Sequence, residues 1–173
     1  MDLKSREVDK GYTMAGAYIQ DHDEISYEDL KHAIEDAWQR ETSADPDGWD
    51  EDNPAYGQCA VTALVVQDMM GGDIVWRDAV VDKPGDLEDY FEEDEHVSHY
   101  FNQIDGETVD LTQQQFPEAT EYRQDEDAVD AKLEQDDGDD FDTLRDYVLS
   151  YDPTRERYAT LKADVFENLA AKR

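Results

Sequence analysis

The sequence predicts an α+β domain in which a buried helix packs on a small antiparallel sheet, with further helices flanking it at both ends. Three observations carry that prediction. Residues 59–70, CAVTALVVQDMM, are apolar on nearly every side and stop at Gly71-Gly72, which marks a buried helix beginning near Cys59. The runs VSHYFNQI and ETVDLT are joined by Asp105-Gly106 alone, the two-residue connection that favours a type I′ hairpin. Finally, Tyr27, Leu30, Ile34, Ala37 and Trp38 fall on one stripe, the pattern of an amphipathic helix against a core.

Taken in order, residues 1–24 show no sustained period and are expected to form an irregular extension to a single domain spanning 25–173. Ser26 opens the first helix, with Asp29 three positions on as its capping partner. Residues 41–57 hold six acids, no bases, two Pro and two Gly, and predict a long surface connection. DPDGWDED within it superficially resembles a calcium loop, but Gly48 is fourth from Asp45 where an EF-hand needs glycine sixth. After the helix at Cys59, whose β-branched residues leave a strand as the weaker alternative, DIVWRDAVV predicts a strand. Residues 82–95, with eight acids and one Lys, predict a solvated loop or short exposed helix. Residues 117–140, with eleven acids and two bases, predict an acidic loop or linker. The segment 141–173, containing FDTLRDYVLS and TRERYATLKADVFENLAAK, predicts two closing helices.

Forty-seven Asp and Glu against fifteen Lys and Arg leave a formal charge of −32 over 173 residues. A surface so negative repels phosphates and anionic membrane faces, so no nucleic-acid and no membrane partner is expected. No apolar run approaches the roughly 20 residues that span a bilayer, and MDLKSREVDKGYTMAG has no apolar signal region, which predicts a cytoplasmic protein. A lone cysteine fits a reducing compartment. The acids are spread along a chain that is still 38% hydrophobic and carries three Trp, ten Tyr and five Phe, unlike a disordered acidic tail. That distribution predicts a folded domain adapted to very high salt, where self-repulsion is screened. An acidic interaction or calcium-buffering protein is the competing explanation.

The hairpin register carries the chemistry. With Asp105 and Gly106 as the turn, His99 faces Thr112 and Phe101 faces Asp110, so all four share one face. His99 and Asp110 become diagonal neighbours, close enough for a carboxylate to orient an imidazole. Cys59, at a predicted helix start, would supply a nucleophile whose thiolate is stabilised by unpaired amides. Those amides also suit a developing oxyanion. Cys59, His99 and Asp110 are therefore the candidate catalytic residues. Each also has a structural reading: a small buried hydrophobe, a satisfied strand histidine and a turn-bonding carboxylate. A metal site at Cys59, His96 and His99 is disfavoured because residues three apart on a strand point to opposite faces; neither metal nor cofactor is expected. His32 is expected to face solvent.

NPAYGQCAVTALVVQDMMGGDIV, followed by SHYFNQIDGETVDLTQQQFP, closely resembles the YunG-like family of largely uncharacterised bacterial and archaeal proteins. ETSADPDGWDEDNPAYGQC and YVLSYDPTRERYATLK resemble the same family, so the likeness covers roughly residues 30–165. A looser resemblance, of a helix-starting cysteine and an H…G-x-x-x-D-L-T hairpin, is to the papain and transglutaminase-like core. It implies Cys59 as nucleophile, His99 as base and Asp110 as its orienting group. Papain-like enzymes often place an oxyanion-binding glutamine six residues before the cysteine; here Asn53 stands there and Gln58 directly precedes Cys59, making these the oxyanion candidates. The expected activity is a cysteine hydrolase or acyltransferase acting on an amide, isopeptide or thioester bond of a peptide or protein substrate. The alternative is a non-catalytic interaction or accessory protein that keeps this scaffold.

Overall fold

A computed structural model of the chain describes residues 25–134 and 140–171; the extension expected over 1–24 lies outside the described residues. Helix α1 (Tyr27–Ala37) begins where the capping pattern places it, with Ser26 Oγ accepting from the Asp29 amide at 3.1 Å. Its buried face, including Leu30, Ala33 and Ile34, packs against the long last helix α5 (Asp152–Ala171). Helix α2 (Cys59–Met70) packs against α5 and the strand Glu95–Ile104 and is buried along most of its length because almost every position is apolar. A short helix, α4 (Leu144–Leu149), precedes α5.

The sheet has four antiparallel strands in the order β3-β2-β1-β4: β1 (Asp73–Val81), β2 (Glu95–Ile104), β3 (Glu107–Val109) and β4 (Thr120–Arg123). The β2–β3 hairpin turns on Asp105 (φ 52°) and Gly106 (φ 82°), the two positive φ values that a type I′ turn requires. Asn102 pairs with Val109 and Ile104 with Glu107, the register read from the sequence. β3, however, stops at Val109. Leu111 is drawn into the core shared by α1, α2 and α5, so Asp110 leaves the ladder and opens a 3₁₀ turn over Leu111–Gln115.

Both faces of the sheet are covered. Trp76, Tyr100 and Ile104 point toward the helices, and Asn102 Nδ2 donates to Ala63 O of α2 at 2.9 Å. Opposite them, Ala79, Val97 and His99 meet Phe91, Phe116 and Tyr122 in a small aromatic layer.

Two acidic segments are more ordered than their composition predicts. Residues 117–140 were expected to be loop or linker, yet among the described residues they contain β4, paired with β1, and α3 (Glu126–Leu133). Alternation explains the strand: Tyr122 enters the aromatic layer while the charges of Glu121 and Arg123 remain in solvent. Asp125 caps α3 by accepting from the Ala128 amide. The 41–57 connection is likewise packed down, with Thr42, Ser43, Asn53 and Ala55 buried. Of the 82–95 stretch, residues 82–94 do remain turns and a short 3₁₀ piece at Gly85–Leu87, anchored by buried Phe91, while Glu95 opens β2.

Candidate active site

Cys59 is the first residue of α2, so it sits among amide groups that have no intrahelical acceptor. The connection before it is held rigidly. Ser43 Oγ donates to Tyr56 O at 2.8 Å, and the Ala44 amide donates to Gly57 O at 2.8 Å. Gly57 has φ +73°, and a Cβ there would lie 2.2 Å from Ser43 Oγ. Only glycine satisfies both the backbone and the space, and its position fixes the entry to α2.

His99 is fully buried on β2. Phe116 meets its ring edge-on at 5.0 Å, while Phe101 and Tyr122 approach at 5.6 Å, leaving the imidazole little freedom to turn. Nε2 lies 2.7 Å from Asp110 Oδ2, and Thr112 Oγ1 lies 3.5 Å from the other carboxylate oxygen. Asp110 reaches the ring although it has left the strand. Nδ1 is buried without a well-formed hydrogen bond. The Cys59 side chain interacts with the same imidazole, and its Sγ lies 3.8 Å from Ser98 O, the carbonyl next to His99.

The electrostatics follow from this enclosure. Burial opposes a charge on His99, but the hydrogen bond to Asp110, the contact with Cys59 and the negative charges of both outweigh it and push the imidazole up to about 9. The ring is therefore an imidazolium across neutral pH.

Cys59, His99 and Asp110 are thus brought together. The two oxyanion candidates are not part of the group. Asn53 Nδ2 donates to Gln115 O at 3.1 Å, Gln58 Nε2 donates to Gln39 O at 2.9 Å, and neither side chain lines the cleft at Cys59. Gln115 is the residue that the sequence did not single out. Its Oε1 accepts from the Gly57 amide at 3.2 Å, which leaves Nε2 as a buried donor without an acceptor, in a side chain lining the same cleft as Cys59. Nothing local in QQQ distinguishes it; the signal is its pairing with Gly57.

That cleft encloses about 580 Å³ and is mostly apolar, with Tyr56, Phe91, Tyr100, Tyr147 and Arg157 around Cys59. His96 points away from His99 and bonds Asp78 at 2.8 Å, and His32 is exposed on α1. Among the described residues no group of three or more His, Cys, Asp or Glu is arranged to hold a metal ion, and no helix is long and apolar enough to cross a membrane.

Residues 26–170 match the family model described as YunG protein. The chain is 33% identical over 96 residues to the Bacillus subtilis (strain 168) protein named "Uncharacterized protein YunG", covering 56% of this chain and 68% of that one. No solved structure matches.

Proposed function

The chain belongs to the YunG family, and we propose that it is a cysteine-dependent hydrolase or acyltransferase acting on an amide, isopeptide or thioester bond, built on a papain and transglutaminase-like core. The observation that carries this reading is the buried imidazole bonded by Asp110 at 2.7 Å, with the cysteine at the head of α2 placed 3.8 Å from Ser98 O, the carbonyl next to His99. Burial alone would call for a partner on a ring nitrogen; a cysteine at a helix start near the same ring adds the nucleophile that a core histidine lacks.

In the proposed reaction, the Cys59 sulfur attacks the carbonyl carbon and forms the C–S bond. Negative charge moves to the carbonyl oxygen, where the Cys59 amide and Gln115 Nε2 are the available donors. As the tetrahedral intermediate collapses, the His99 imidazolium gives its proton to the departing nitrogen, oxygen or sulfur. Water or another nucleophile then loses a proton to His99, attacks the thioester and releases the Cys59 thiolate. Asp110 holds the ring in place and stabilises its charged form. The same proposal places the protein in a reducing cytoplasm at high salt, in keeping with one cysteine and a charge of −32.

Labelling with iodoacetamide at pH 7 in molar KCl tests the reading. Rapid modification of Cys59, slowed at least about tenfold in His99→Ala, is expected when an imidazolium activates the sulfur. Equal rates in the two proteins would support the scaffold alternative instead.

A further inference from the structure

Arg157, on α5, stands out in a chain where acids outnumber bases three to one. It is the one cation lining the cleft among the described residues. Its Nη2 donates to Thr154 Oγ1 at 3.1 Å, while its Nε is buried with no acceptor. No carboxylate among the described residues lies within ion-pair distance of it, although Arg123, Arg145 and Arg155 each have one. The acids of the same cleft are already engaged: Asp45 accepts from Tyr56 OH at 2.9 Å and from the Gly48 amide, and Glu95 accepts from the Glu92 amide. Burying part of a guanidinium without a counter-charge is costly. Such a group is well suited to an anion that arrives with the ligand, and its planar donors match a carboxylate. Tyr100, Tyr147 and Tyr151 supply apolar wall in the same cleft.

We propose that the cleft binds acyl donors that carry a carboxylate beside an apolar body, with Arg157 taking the carboxylate and Cys59 the reacting carbonyl. This assignment rests on the thiol reading above and specifies its substrate class. Arg157 is half-buried and lines the same cleft as Cys59; burial opposes its charge, while Tyr151 and Cys59 favour it.

Alkylation by a matched pair of reagents separates the two claims. Iodoacetate and iodoacetamide differ in the carboxylate, and in about 1 M KCl the Debye length of roughly 3 Å removes the general repulsion of the acidic surface. The iodoacetate-to-iodoacetamide rate ratio at Cys59, normalised to a small free thiol, is expected to exceed one. It should fall about tenfold in Arg157→Gln, the loss of one charge-assisted contact, and less in Arg157→Lys. An unchanged ratio, or both rates falling by the same factor, overturns the proposal. The iodoacetamide rate in His99→Ala reads thiol activation separately, so failure of either claim is visible alone. The unaltered protein gives a second test: 3-phenylpropionate should protect Cys59 from iodoacetamide at concentrations where 3-phenylpropionamide does not. Equal protection by the two, or none, overturns the assignment.

Discussion

Asp110→Asn removes one charge at a position that is nearly enclosed. The carboxylate accepts from His99 Nε2 at 2.7 Å, and that bond is the largest of the influences that raise the imidazole to about 9. A hydrogen bond to a charged group contributes about 1.5–3 kcal/mol, so its loss should lower the imidazole by roughly one to two pH units. A histidine raised from 6.5 to about 9 stabilises the fold fully below 6.5, and this contribution is lost as pH rises through 9. Its size is about 3 kcal/mol, the free-energy equivalent of the shift. The variant should therefore be less stable than the unaltered protein by about 1.5–3 kcal/mol at pH 6, with the gap narrowing by pH 10. Urea unfolding in molar KCl measures this, and iodoacetamide rates from pH 5 to 10 report the imidazole through Cys59. Parallel stability curves at all pH values, with an unmoved alkylation profile, would show that Asp110 does not govern the charge of His99.

Other consequences are as concrete. Gln115→Ala should leave the iodoacetamide rate of Cys59 nearly unchanged yet slow turnover of an activated thioester about 100-fold, as removal of an oxyanion donor does; equal effects on both rates would assign Gln115 to positioning α2. Lowering KCl from molar to millimolar should cost helical and strand signal in circular dichroism, since repulsion at −32 is then unscreened; a flat titration would remove salt adaptation. Leu64→Ala, at a fully buried α2 position, should destabilise the protein by about 2–5 kcal/mol in urea unfolding; a smaller loss would mean that the α2–sheet contact is loosely packed.

The sequence revealed most where one local signal dominated. CAVTALVVQDMM is apolar all round and closed by glycine, and Asp105-Gly106 permits one turn geometry, so α2 and the hairpin register were both legible. The pairing of His99 with Asp110 came with that register, even though the strand ends one residue before Asp110. The acidic segments were harder to read. In β4, alternating burial is compressed into four residues, and net charge hides the inward Tyr122. The walls of the cleft were not legible at all. Gln115 is set by a bond to Gly57 across 58 positions, and Arg157 lies on the last helix; neither has a periodic or spacing signal that ties it to Cys59.

The central claim is that Cys59 becomes covalently acylated because His99 and Asp110 activate it. Intact-protein mass spectrometry after brief mixing with an activated thioester, such as 3-phenylpropionyl thiophenol, tests this directly. One acyl group on Cys59, released on standing and absent in both Cys59→Ser and His99→Ala, is the predicted result. No adduct on Cys59, or an equal adduct in His99→Ala, would contradict it.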